Sequence, residues 1–192
     1  MNILISAVGG QGALLASRIL GTLAQKKSLE VKVSEVHGMS QRGGSVITHV
    51  RFGEKIYSPI VEKGSADVIL AFEWLEGARY VDWLKTNGSL IINTQKIDPM
   101  PVLTNSVPYP EQLKEKLTKL PISFYSVDAL AYAQKAGSIK TVNVVLIGTL
   151  AAITDIEKDI WYEAIKENVP AHLADINLKA FELGFSHTQL PN

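Results

Sequence analysis

Two glycine-rich segments hold most of the groups in this chain that could do chemistry. The first is Gly9-Gly10-Gln11-Gly12, which follows an apolar run from Ile3 to Val8. Glycines at such a turn let the backbone approach a phosphate, and the N–H groups opening a following helix face the anion. A dinucleotide fingerprint reads G-x-G-x-x-G. Here Ala7 stands at its first position and Gly9 and Gly12 at the other two. Glu35 falls near the place of a ribose-binding carboxylate. The same glycines would equally serve a tight strand-to-helix turn by packing alone. The Gln11 amide can reach a ligand or a partner chain, or fold back onto local backbone.

The second segment is His37-Gly38-Met39-Ser40-Gln41-Arg42-Gly43-Gly44. His37, Ser40, Gln41 and Arg42 are donors of different kinds, and Arg42 suits a phosphate or a carboxylate. Gly43 and Gly44 could bring backbone N–H groups against an anion. A glycine loop with solvated polar side chains is the simpler reading of the same residues. Catalytic machinery is not visible elsewhere. The histidines, His37, His49, His172 and His187, have no metal-ligand spacing. Ser40 lacks a G-x-S-x-G context, and no Lys-Ser or Lys-Thr follows the first glycine turn. No catalytic residue and no metal site are expected in the chain.

The elements that must position these segments follow from hydrophobic periodicity. Ile3–Val8 reads as a strand buried on both faces, and Gly12–Lys27 as an amphipathic helix. Glu30–Val36 alternates as a second strand, giving a βαβ start. The second segment then emerges at the carboxyl edge of the sheet, beside the glycine turn, where ligands bind in open α/β sheets. Val46–Phe52 is a strand, with Gly53-Glu54 turning into a hairpin toward Lys55–Tyr57. Val68–Phe72 is a buried strand, Leu75–Leu84 a helix, and Ser89–Asn93 a strand after an Asn87-Gly88 turn. Asp98–Pro110, with four of the eight prolines, is an irregular connection. Glu111–Leu120 is a short helix and Ile122–Val127 the last strand. Asp128 caps a helix that Gly137 ends. Three helices complete the chain, over 141–153, 157–167 and 172–183, with Gly184 as the last C-cap.

The fold class expected is α/β: a three-layer Rossmann-like open sheet, mostly parallel, with a small hairpin excursion and a C-terminal helical tail over about 141–184. One domain spans residues 1–192. With 192 residues, 46% of them hydrophobic, the chain can bury a core without staples. Zero cysteines exclude disulfides and any Cys-ligated zinc or iron–sulfur site within it. Nineteen basic against nineteen acidic residues argue against nucleic acid as a partner. No apolar window reaches membrane-span length, and no basic region precedes the short first run, so a cytoplasmic protein with no membrane partner is expected.

Together the two segments resemble the gamma domain of 2-oxoacid:ferredoxin oxidoreductases, nearest to the branch acting on indolepyruvate and other aryl pyruvates. The likeness continues through His49–Gly53, Ala66–Ile69, Asn143–Gly148 and Asn177–Gly184, and covers nearly the whole chain. Ala7 departs from the pattern, which commonly has glycine there. The resemblance implies a subunit supporting coenzyme A-dependent oxidative decarboxylation to acyl-CoA, CO2 and reduced ferredoxin, inactive in isolation. Thiamine diphosphate and 4Fe-4S clusters would sit in a larger partner subunit, and ferredoxin would be met through the complex. No cofactor would be bound by this chain alone. By position, Gly9–Gly12 and His37–Gly44 would line the contact with coenzyme A or the partner, with Arg42 the first candidate for a phosphate or carboxylate. Asn143 matches a family position and is equally readable as a buried, hydrogen-bonded amide. The alternative expectation is a free-standing nucleotide-binding oxidoreductase or sensor using Gly9, Gly12 and Glu35.

Overall fold

A computed structural model describes residues 1–38 and 43–188. In chain order the strands are β1 (Asn2–Val8), β2 (Glu30–His37), β3 (Ser45–Gly53), β4 (Ala66–Ala71), β5 (Leu84–Asn93) and β6 (Ser123–Val127). The helices are α1 (Ala13–Lys26), α2 (Trp74–Tyr80), α3 (Met100–Leu103), α4 (Leu113–Thr118), α5 (Ala129–Ala136), α6 (Val142–Ala152), α7 (Lys158–Asn168) and α8 (Ala174–Thr188). The strands form one sheet in the order β2-β3-β1-β4-β5-β6. β1, β4, β5 and β6 run parallel, while β3 is antiparallel to both its neighbours.

The continuous apolar run of β1 is buried because helices cover both faces of the sheet. Ile3, Ile5 and Ala7 join the core beneath α1, α5, α6, α7 and α8. Leu4 joins the core on the opposite face, with Leu117 of α4 and the partly buried Trp74 and Ala78 of α2. Three layers result, as expected. β2 buries no residue fully, as an edge strand does.

The expected βαβ start is present but split, because β3 inserts between β1 and β2. The antiparallel excursion is therefore the pair β2–β3. The expected hairpin strand at Lys55–Tyr57 does not form. Residues 54–65 lack strand, and Tyr57 is 85% exposed. Arg51 explains why: its Nη1 donates to the carbonyls of Ser58 and Ile60, both at 3.0 Å, pinning that stretch as a loop. Asn87-Gly88 lies within β5, where the ladder with β4 shifts register before resuming at Ser89.

Gly184 is not a C-cap. It lies inside α8, where a Cβ would overlap the Val145 carbonyl of α6, and a Cβ at Gly148 of α6 would overlap the Phe181 carbonyl. These two glycines let the helices meet backbone to backbone. Thr149 Oγ1 adds a bond to the Gly184 carbonyl at 3.3 Å. α6 is buried on nearly every side, which explains its all-round apolar sequence. Among the described residues, no helix is long and apolar enough to cross a membrane.

Candidate functional site

β1, β4 and β5 all end at one edge of the sheet, where β2 also ends and β3 begins. The two glycine segments meet there. Gly9 N–H donates to the Gly44 carbonyl at 2.8 Å, and Gly43 N–H donates to the Gly9 carbonyl at 3.3 Å. These bonds continue the β1–β3 ladder past Val8 and Ser45. Met39, Ser40, Gln41 and Arg42 lie outside the described residues.

Gly10 and Gly12 adopt φ of +102° and +88°, the left-handed region that favours glycine. At Gly12 a second constraint applies: an added Cβ would lie 2.7 Å from Asn143 Nδ2. That amide donates to the Gly12 carbonyl at 3.2 Å, while its oxygen accepts from Val144 N–H at 2.9 Å. Buried Asn143 thus fastens the glycine turn to the start of α6. α1 opens on Gly12 with no side-chain cap and no acidic residue in its first turn, which leaves an electrostatically positive helix end.

Gln11 is used inside the fold. Its Oε1 accepts from Val8 N–H at 2.7 Å, and its Nε2 donates to the Phe72 carbonyl at 3.0 Å. Asn93 also donates to the Phe72 carbonyl, at 3.1 Å, and accepts from Ala129 N–H at 3.2 Å. This amide network ties together the ends of β1, β4 and β5 and the start of α5.

Clefts flank the turn. One of 340 Å³ is lined by Gly9–Gly12, Leu14, Glu35, His37 and Val46. Another of 330 Å³ places Gln95, Ile139 and Lys140 against Gly10 and Gly12. A third, of 530 Å³, opens between Gly43–Ser45, the first turns of α2, and residues 97–103. Its floor holds two buried carboxylates. Glu73 caps α2 by accepting from Glu76 N–H at 3.0 Å, and it also accepts from Ile97 N–H at 3.2 Å and Tyr109 Oη at 2.6 Å. Burial and the Glu73 bond push the Tyr109 phenol up, so it stays protonated. Glu76 accepts from Ser45 Oγ and, at 3.2 Å, from Arg79 Nε. Burial pushes the Glu76 carboxyl above its ordinary value, against the pull of Ser45 and Arg79.

The fingerprint reading fares less well. β3 separates β2 from β1, so Glu35 stands one strand spacing, about 4.8 Å, further from the glycine turn than in an adjacent pair. Its carboxylate accepts from Thr48 Oγ1 at 3.3 Å, and both backbone groups of Gly9 are occupied.

The family model for pyruvate ferredoxin/flavodoxin oxidoreductase matches residues 2–187. The chain belongs to that family. It is 43% identical over 188 residues to indolepyruvate oxidoreductase subunit IorB of Thermococcus kodakarensis, covering 95% of this chain and 93% of that one. Its fold matches the keto/oxoacid ferredoxin oxidoreductase gamma subunit of Geobacter sulfurreducens, with a TM-score of 0.74, 23% identity and 98% of each chain covered. It also matches part of the 2-oxoglutarate:ferredoxin oxidoreductase of Magnetococcus marinus, a structure with 2-oxoglutarate, coenzyme A and succinyl-CoA bound. There the TM-score is 0.76 at 18% identity, with 100% of this chain covering 31% of that longer one.

In this family member the sequence motifs marked the glycine segments and Asn143 but missed the other supports. Glu73 and Glu76 carry a readable signal: an acidic residue directly after a buried strand, with another three positions on, at a helix start. Gln95, Ser45 and Lys140 carry none. They reach the site through the sheet order and the turn before α6.

Proposed function

We propose that the chain is the small, non-catalytic subunit of a 2-oxoacid:ferredoxin oxidoreductase that acts on indolepyruvate or another aryl pyruvate. The observation that carries this reading is the 43% identity to an indolepyruvate oxidoreductase subunit over nearly the full length of both chains. The whole enzyme would convert the 2-oxoacid and coenzyme A to acyl-CoA and CO2, passing two electrons to ferredoxin. Thiamine diphosphate would supply the carbanion chemistry and iron–sulfur clusters the electron path. With zero cysteines, this chain has no donor set for Cys-ligated clusters. Clusters therefore belong to a larger partner subunit in this reading, and thiamine diphosphate is assigned there too.

The contribution of this chain is a contact surface at the carboxyl edge of the sheet. Gly9, Gly10 and Gly12, His37 and Gly38, and Gly43 and Gly44 are its described residues. Met39, Ser40, Gln41 and Arg42 complete it in sequence. Leu14, Val36, Met100, Leu103 and Ile139 are all at least half exposed around that edge. Apolar side chains gathered around a polar, glycine-rich centre favour a surface covered in the complex. The open end of α1 and Arg42 suit a phosphate of coenzyme A or a partner carboxylate. The same reading puts the complex in the cytoplasm.

The test is reconstitution. The large subunit is assayed for coenzyme A-dependent reduction of ferredoxin by indolepyruvate, with and without this chain. Activity that requires the chain supports the reading, and full activity of the large subunit alone refutes it.

A further inference from the structure

Glu76 is buried, 5% exposed, in the first turn of α2, and the helix does not need its carboxylate as a cap, because Glu73 supplies one. Its two oxygens divide their work. Oε1 accepts from Arg79 on the same helix, and Oε2 accepts from the Ser45 hydroxyl. Ser45 is the first residue of β3 and follows Gly44 directly. Gly43 and Gly44 in turn make the two bonds to Gly9 that join the second segment to the glycine turn. A short chain of contacts therefore runs from α2 through Ser45 to the meeting point of both motifs. Neither glycine has a side chain to fix it, and Gly43 sits at φ +76°. Among the described residues, the Ser45 hydroxyl is the side-chain anchor next to them in the chain, and it reaches a helix.

We propose that Glu76 is a positioning residue for the Gly43–Ser45 end of the second segment, holding Ser45 so that Gly43 and Gly44 stay paired with Gly9. The functional part of this inference rests on the reading that the segment lines the coenzyme A or partner contact. The geometry makes the hold stronger when Glu76 is ionised, because a carboxylate accepts a hydroxyl proton better than a carboxylic acid does. Among the described residues, the charged groups facing Glu76 are Arg79 and Glu73 on α2, with Asp98 on the far wall of the cleft. Ser45 and Tyr80 contribute hydroxyls, their oxygens 3.4 Å apart. Burial moves the protonation of Glu76 upward, so the hold loosens at a less acid pH than an exposed glutamate would require.

The experiment is an amide NMR titration of the full chain, with hydrogen exchange read at Gly9 and Gly43. The wild-type Gly43, Gly44 and Ser45 amides should shift together, with a midpoint above the ordinary glutamate value of about 4.3. Glu76→Gln should abolish that common titration. Ser45→Ala, changed at the half-buried end of the contact, should speed exchange of the Gly9 and Gly43 amides about tenfold or more, and Ser45→Thr should restore slow exchange. Persistence of the titration in Glu76→Gln overturns the proposal, as does unchanged exchange in folded Ser45→Ala. In the reconstituted enzyme, Ser45→Ala should raise KM for coenzyme A with little change in kcat. An unchanged KM beside the predicted exchange effect would refute the ligand reading of the segment and leave the positioning role standing.

Discussion

Asn143 Nδ2 lies 3.2 Å from the Gly12 carbonyl oxygen and would lie 2.7 Å from any Cβ at that residue. One contact thus fixes both the turn's position and the identity of the residue in it. Gly12→Ala should cost about 1–3 kcal/mol from backbone strain, and more from displacing Asn143. Asn143→Ala should cost about 1–3 kcal/mol, because it removes the amide's bonds to the Gly12 carbonyl and from the Val144 N–H. The double variant escapes the overlap but keeps the φ strain. Urea unfolding should therefore show it destabilised by less than the two single costs combined. Strict additivity would contradict the contact.

The α6–α8 crossing makes a sharper prediction. Gly148→Ala and Gly184→Ala each drive a Cβ into the backbone of the facing helix, which cannot move aside as a side chain could. Each should cost more than about 4 kcal/mol, the range of severe core overpacking. Gly21 provides the contrast. It lies mid-helix in α1 with nothing near an added Cβ, so Gly21→Ala should be neutral or stabilise by up to about 1 kcal/mol. Thermal melts of the three variants check both signs.

The fold was legible where burial leaves a periodic trace. β1, α1, β4, β6 and α5 fall where their apolar spacing and caps put them, and Asp128 accepts from Ala131 N–H at 3.0 Å as an N-cap does. The sheet order was not legible, because alternation in β2 and β3 is the same whether β3 pairs beside β2 or inserts next to β1. The Lys55–Tyr57 strand failed because Arg51 holds the following backbone, a contact that no local pattern encodes. Gly184 was misread as a cap because a glycine that ends a helix and one that lets two helices touch look alike in sequence. At the site, the glycine segments announced themselves by composition. Asn143 was marked as a buried, hydrogen-bonded amide, and it is one, but its Gly12 partner, and the hold of Glu76 on Ser45, act across distances set only by the fold.

The pH dependence of stability carries a signed prediction. Burial raises the Glu76 pKa in the folded chain above its unfolded value of about 4.3. Between those two values the native state binds the extra proton, so stability falls as pH rises through that window and levels off above it. Asp67 behaves oppositely. Burial would raise its pKa, but the Lys85 ion pair and the Asn2 N–H bond hold it below the ordinary value, so its contribution is lost as pH falls. The two are separated by subtraction. Relative to Glu76→Gln, the wild type should lose stability as pH rises from about 4 toward neutrality. A difference curve that rises or stays flat would contradict the assigned environment.

Arg42 lies outside the described residues, yet its place beside Gly43 makes it the side chain whose loss should be felt most by an anionic group at this edge. Arg42→Ala should raise KM for coenzyme A in the reconstituted enzyme about tenfold, the worth of one charge-assisted hydrogen bond. The melting temperature of the isolated chain should not change. Kinetics and assembly both unaltered would remove Arg42 from the site.

Under the proposed function, this chain works only as part of a larger electron-transferring assembly. The most direct measurement is to tag the chain at its native level, recover it from its own cells, and determine the mass and cofactor content of what comes with it. The expected result is a complex with a larger subunit, iron and acid-labile sulfide in cluster amounts, and thiamine diphosphate, all of the iron residing in that subunit. Recovery of the chain alone, or of the chain bound to a nicotinamide or flavin nucleotide without a larger subunit, would contradict it.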